Sequence, residues 1–156
     1  MRPAPPVAVT AVCESASVSL PCAWESVRAA RKWTDQQLRR LFERAYTAGE
    51  DAELVISELV TNCLRAEAHT FSIAIEAHHS RVTLCTIDDA PGVPAPRSAR
   101  PTDDTGRGLA IVEALSNQWG VRPGPHSKTV WADVPIEPDA EPRFDCDDEA
   151  PGVQVQ

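Results

Sequence analysis

Basic residues are scarce in this chain: Lys and Arg together number 15 against 23 Asp and Glu over 156 residues, a formal net charge of −8. A nucleic-acid surface needs a basic face to neutralise phosphates, so this balance argues against direct nucleic-acid binding. Aromatics make up only 5% of the chain, with a single Tyr. Trp24, Trp33, Trp119 and Trp131 are read, for the most part, as core and edge packing rather than a stacking platform. Long apolar runs are missing as well. No stretch approaches membrane-spanning length, and no apolar core follows a basic start at the N-terminus, so neither membrane insertion nor secretion is expected. Zinc-like cysteine pairs are also missing. Cys13, Cys22, Cys63, Cys85 and Cys146 are odd in number with no two-residue gap between any pair, which fits a reducing compartment and a cytoplasmic location. Cys63 and Cys85 lie within apolar segments, where cysteine behaves as a small hydrophobe. His78 and His79 are neighbours whose side chains would point to opposite faces of a strand, so a hairpin turn is the better reading than a metal pair.

What remains is an ordinary globular composition, 42% apolar, in a chain long enough for one domain with its own core. The acidic excess is concentrated. Glu137, Asp139, Glu141, Asp145, Asp147, Asp148 and Glu149 face one cation, Arg143. Residues 1–14 are read as a proline-rich lead-in, 15–136 as the folded domain, and 137–156 as an acidic tail with too little apolar surface to order itself. Val18 and Leu20 alternate with serines as a short first strand ended by Pro21. From Trp24 to about Phe42, Val27, Ala30, Leu38 and Leu41 recur at helical spacing. A second helix is predicted from Glu50 or Asp51 to Ala66, with Val55, Ile56, Leu59, Val60, Cys63 and Leu64 as its buried stripe. Residues 71–77 alternate, residues 78–80 turn, and residues 82–87 alternate again, which predicts an antiparallel hairpin. Residues 90–105 are proline-rich and long enough to be a functional loop. A helix from Gly108 to Asn117 and strands at 119–121 and 129–134 complete the pattern.

Three short stretches carry chemistry. Glu58 and Asn62 are four apart and share one helical face. The Asn62 amide oxygen is a hard ligand of the kind magnesium takes, and Glu58 is a candidate base toward a hydroxyl or water. Asp89 follows an apolar strand; in an apolar pocket its acceptor-only carboxylate would take adenine's exocyclic amine and reject guanine's carbonyl. Gly106 and Gly108 open an apolar helix, where backbone N–H groups could approach phosphate at the positive end of the helix dipole. Taken singly, the first two are more readily an ordinary solvated face and an Asp-Pro-Gly turn, and the third is weak evidence beside a flexible helix start.

In this order, the stretches Ser57-Glu58-Leu59-Val60-Thr61-Asn62, Asp88-Asp89, Gly106-Arg107-Gly108-Leu109, Trp119-Gly120-Val121 and Lys128-Thr129-Val130-Trp131 resemble the gyrase/histidine-kinase (GHKL, HATPase) ATP-binding superfamily. Within it, the resemblance is to the small anti-sigma-factor serine/threonine kinases, over roughly Val18 to Ile136. It implies an α/β (α+β) two-layer sandwich, a mixed and mostly antiparallel sheet with helices on one face. It implies ATP and Mg2+ as cofactors, with Asn62 on magnesium, Glu58 as catalytic base and Asp89 reading adenine. Gly92, Gly106, Arg107, Gly108 and Leu109 would belong to the nucleotide-binding set, and Thr129 would approach the adenine side. Expected partners are an anti-sigma-factor antagonist protein, a sigma factor, or both, and small relatives of this kind are often homodimers. The chain departs from the family at Ala66, where a histidine is usual, at Ala90-Pro91-Gly92, and at Ser127. The alternative is a nucleotide-gated protein-binding module without catalysis.

Overall fold

The computed structural model describes residues 12–92 and 104–146. Most of the expected lead-in, the middle of the 90–105 loop and the last ten residues lie outside the described residues. The elements run β1 Glu14–Leu20, α1 Glu25–Leu41, β2 Phe42–Glu43, α2 Tyr46–Arg65, β3 Phe71–Ala77, β4 Arg81–Asp88, α3 Asp104–Leu115, β5 Gln118–Pro123, β6 Lys128–Pro135 and β7 Glu141–Pro142. Five strands form one sheet in the order β1-β3-β4-β6-β5, and every pair is antiparallel. The helices make the second layer, with α2 central against β4 and β6, α1 beside it toward β3, and α3 toward β5. This is the α+β sandwich that the sequence implies.

Strand alternation decides what each residue faces. Ile73 and Ile75 of β3, Val82 and Leu84 of β4, and Val130, Ala132 and Val134 of β6 are buried toward the helices. They meet Val55, Ile56, Leu59 and Val60 of α2, all buried. Removing such side chains from water is the main favourable term, about 1.5–3 kcal/mol for each large aliphatic side chain. On the opposite face, Trp131 lies across Gly120, its partner on β5. A Cβ at Gly120 would stand 2.9 Å from the indole, so this strand position needs glycine.

Three boundaries differ from the sequence reading. Helix α2 starts at Tyr46 rather than at Glu50, with Gly49 inside its first turn. The reason is remote: Glu137, just beyond β6, accepts the Ala48 backbone N–H at 2.8 Å and caps the helix. A carboxylate there satisfies one orphan donor and sits favourably at the positive dipole end. Helix α3 begins at Asp104, four residues before Gly108, so both glycines of its motif are helical. Residues 137–146, read as tail, are packed. β7 pairs with β2, the Arg143 backbone N–H donates to Leu41 O at 2.7 Å, and the Phe144 ring meets Phe42 edge-on at 5.4 Å. Cys13 and Cys146 form a disulfide, where the cysteine count pointed to reduced thiols. Among the described residues no helix is long and apolar enough to cross a membrane.

The end of α2 is built to stop sharply. The Glu67 N–H donates to Leu64 O and the Ala68 N–H to Cys63 O, both at 3.1 Å, with Glu67 in the left-handed region at φ 59°. This is the paired C-terminal cap usually completed by glycine. It leaves Asn62, Cys63 and Ala66 at the mouth of a pocket.

Candidate functional site

The pocket, about 160 Å3, opens between the last turn of α2 and the ends of β4 and β6. Leu59, Cys63 and Ala66 line one side, Val130 and Lys128 another, and Asp88, Pro91 and Gly92 the end. Gly92 has φ +89°, a conformation that side chains rarely adopt. Of the residues singled out in the sequence, Asn62 and Gly92 lie in this lining.

Asp88, not Asp89, is the pocket carboxylate. Alternation along β4 places Val82, Leu84, Thr86 and Asp88 on the helix face, and Asp88 is only 3% exposed. Its Oδ1 accepts the Ala90 N–H at 2.8 Å and pairs with Lys128 Nζ at 3.1 Å. Its Oδ2 accepts the Cys63 thiol at 3.2 Å. Burial, and then the Asp88 charge, push the Cys63 thiol up to about 12, so it stays a neutral donor. Asp89 faces elsewhere. Its Oδ1 accepts the backbone N–H groups of His69 at 2.8 Å and Thr70 at 3.1 Å. The Thr70 N–H, and then that of His69, hold the Asp89 carboxyl below its ordinary value. Asp89 therefore fastens the turn between α2 and β3.

Thr129 is displaced by the same logic. On β6, Lys128, Val130, Ala132 and Val134 are buried, while Thr129 and Trp131 alternate with them and are less so. Thr129 pairs in register with Ile87 and is not in the pocket lining; Lys128, opposite Asp88, is. Lys128 donates to Ala90 O at 2.9 Å as well, so it clasps the start of the 90–103 segment to the carboxylate. Cys63, Asp88 and Lys128 are the residues the sequence reading missed. The signal was present: counting by twos from Val82 reaches Asp88, and from Val134 back reaches Lys128.

Glu58 lies one turn before Asn62 on α2 and borders a second groove with Trp24, Thr61, Arg65, Gly108 and Ile111. A Cβ on Gly108 would collide with Glu58 Oε2 and stand 3.4 Å from its Cδ. Gly108 is what lets α3 rest on the Glu58 carboxylate. Gly106 and Arg107 belong to the first turn of α3, and Leu109 is buried at 3% exposure. Leu109 thus supports α3 from inside. The backbone N–H groups at the start of α3 are of the kind that receive phosphate.

The pocket offers one carboxylate among apolar walls. The Asp88 carboxylate shares this lining with Leu59, Ala66 and Val130. The Asn62 Nδ2 is buried without a partner among the described residues. Three or more His, Cys, Asp or Glu side chains able to hold a metal do not cluster among the described residues.

Comparison with protein families agrees. The family described as histidine kinase-, DNA gyrase B-, and HSP90-like ATPase matches residues 47–143, more than half of the chain. No curated protein matches it. The match begins at the second residue of α2 and ends just past β7, taking in Glu58, Asn62, Asp88, Gly108 and Lys128. With the sandwich, the α2–α3 contact and the carboxylate pocket, it shows that the chain belongs to the histidine kinase-, DNA gyrase B- and HSP90-like ATPases, an ATP-binding family.

Proposed function

We propose that this protein is a partner-switching regulator that binds ATP with magnesium and phosphorylates a serine or threonine of an anti-sigma-factor antagonist, while holding a sigma factor through another surface. The observation carrying the reading is the stacking of roles along one helix. Asn62 lines the pocket, and Glu58, one turn earlier on the same helix, borders a second groove against Gly108 of α3. A nucleotide with its base on Asp88 would direct its phosphates past Asn62 toward the start of α3 and Glu58. The Asn62 amide oxygen would hold magnesium, which neutralises phosphate charge when bound. Glu58 would accept the proton of an incoming hydroxyl. Asp88, with the Cys63 thiol and Ala90 N–H fixing its orientation, would accept the base amine on the free position of Oδ2. Phosphoryl transfer asks a protein mainly for positioning and charge stabilisation, and these groups supply both.

The test is transfer from labelled ATP to a purified antagonist protein, with Glu58→Gln in parallel. Glu58→Gln is expected to abolish transfer while ATP binding persists; unchanged transfer would remove Glu58 from the role of base.

A second reading has one observation in its favour. Ala66 lines the pocket where the family often carries a histidine, so one polar group near the nucleotide is gone. On this reading the chain is a nucleotide-gated binding module, and ATP alters partner affinity without transfer. The same assay separates the two, because partner binding would then respond to ATP with no labelled product.

A further inference from the structure

The two ends of the folded chain meet in a covalent bond. Cys13 stands just before β1 and Cys146 beyond β7, 133 residues apart in sequence and joined as a disulfide. Cys13 belongs to the sheet edge, its backbone N–H donating to Ala77 O at 2.9 Å. Cys146 lies on no strand or helix. Both are half-buried, whereas Cys63 and Cys85 are sealed in the interior. The bond is therefore the sulfur site that a small dithiol in solvent can approach.

The segment that this bond retains is held weakly otherwise. β7 is two residues long and pairs only with the two residues of β2, and isolated two-stranded pairing is marginal in water. The Arg143–Glu43 ion pair, at 3.1 Å, joins side chains that are 50% and 45% exposed, where such pairs contribute little. The Arg143 N–H to Leu41 O bond and the edge-on Phe144–Phe42 contact add to the hold. Beneath the segment lie Leu41 and Phe42, only 2% and 3% exposed. A terminal segment of this kind stays ordered when it is tied down, and a crosslink does so by restricting the released state. The root of the segment is anchored separately. Ile136 is buried, its N–H donates to Ser80 O at 2.9 Å, and Glu137 caps α2 at Ala48. Release would therefore begin beyond Ala140 and leave the cap in place.

We propose that the Cys13–Cys146 disulfide is a redox latch on residues 141–146, which a dithiol opens in the folded protein to uncover Leu41 and Phe42. One thiolate of the dithiol attacks a sulfur of the bond, forming a mixed disulfide and expelling the other cysteine as a thiolate. The second thiolate of the reagent attacks the mixed disulfide and expels the remaining cysteine. The dithiol is oxidised to its cyclic disulfide, two electrons pass to the protein, and its two protons end on the cysteine thiols. A disulfide oxidant reverses the exchange and re-forms the latch. None of the residues concerned lines the nucleotide pocket, so the latch does not depend on how that pocket is read.

The experiment is thiol counting by alkylation and mass, with amide hydrogen exchange by NMR, on the full chain before and after dithiothreitol in native buffer. Protein equilibrated with glutathione disulfide and then alkylated in denaturant is expected to label at Cys22, Cys63 and Cys85 alone. After dithiothreitol, Cys13 and Cys146 should label as well, with the circular dichroism of the folded protein retained. Exchange at the Arg143 amide is expected to quicken by more than about tenfold on reduction, since only the docked segment holds it on Leu41 O. Exchange at Ala48 should not change. Cys146→Ser should match the reduced natural protein at Arg143 and show no response to dithiothreitol. Labelling of Cys13 and Cys146 without reductant overturns the proposal, because no bond has formed. A bond that resists dithiothreitol until the protein is denatured is a fixed brace, which also overturns it. Equal Arg143 exchange in the two redox states, or global unfolding on reduction, overturns it too. These comparisons use the natural protein, so they decide the matter even if Cys146→Ser fails to fold.

Discussion

Glu137 caps α2 from 89 residues away in sequence, its Oε1 accepting the Ala48 backbone N–H at 2.8 Å. One carboxylate beyond the last sheet strand therefore fixes where the site-bearing helix starts. Glu137 also repels Asp51, whose carboxyl is raised by burial first, then by Glu137 and Glu50. Glu137→Ala is expected to lower stability by about 1 kcal/mol, the usual worth of a helix cap. Glu137→Gln should cost less, since it keeps an acceptor and relieves Asp51. Urea midpoints of the three proteins at pH 7 check both statements. Equal midpoints would mean that the cap contributes nothing.

Gly108 separates packing from chemistry. The atom that a Cβ there would strike is the far end of the Glu58 side chain, which can rotate away. Alanine also gains about 0.5–1 kcal/mol over glycine inside a helix. Gly108→Ala is therefore expected to keep the melting temperature at or slightly above the natural value. Because it moves the Glu58 carboxylate, it should reproduce the Glu58→Gln defect in phosphoryl transfer. Thermal melts and the transfer assay on one preparation read the two effects separately.

The buried thiols set an alkaline limit on stability. Burial pushes both Cys63 and Cys85 up to about 12 from the ordinary 9.0. Their folded values are raised, so the stability they contribute is complete below the unfolded value and is lost as pH rises toward the folded one. Between about pH 9 and pH 12 the unfolded chain gives up these protons while the folded chain keeps them, and stability falls. Cys63→Ser with Cys85→Ser should flatten this decline in urea midpoints measured at pH 8 and pH 10.5. A decline as steep in the double variant would place its cause elsewhere.

Much of the fold was legible because its signals are local. The Ile73–Ile75 alternation, the polar turn at His78–Ser80 and the stripe from Val55 to Leu64 each need only neighbouring residues to be interpreted. The start of α2 was not legible, because its cap comes from Glu137, and no local rule points there. The packing of residues 141–146 was hidden for a related reason. Phe144 is a lone aromatic in an acidic stretch, and only the tertiary partner Phe42 gives it something to bury against. At the site, the i, i+4 spacing of Glu58 and Asn62 foretold only that they lie one turn apart on α2, Asn62 in the pocket lining and Glu58 at a second groove. The choice between Asp88 and Asp89, and between Lys128 and Thr129, was a matter of strand phase. A shift of one residue turns a side chain to the opposite face of a sheet. In both cases the buried neighbours, Leu84 and Val130, held the phase that decides it.

The most direct measurement is calorimetric titration of MgATP into the natural protein, Asp88→Asn and Asp89→Asn, with circular dichroism confirming that each is folded. Asparagine at 88 keeps an acceptor for Ala90 N–H and Lys128 but removes the charge and adds donors, so it tests recognition with little change of shape. The account predicts saturable binding to the natural protein, retention in Asp89→Asn, and loss in Asp88→Asn. Loss in Asp89→Asn with retention in Asp88→Asn would contradict it, and so would the absence of binding to the folded natural protein.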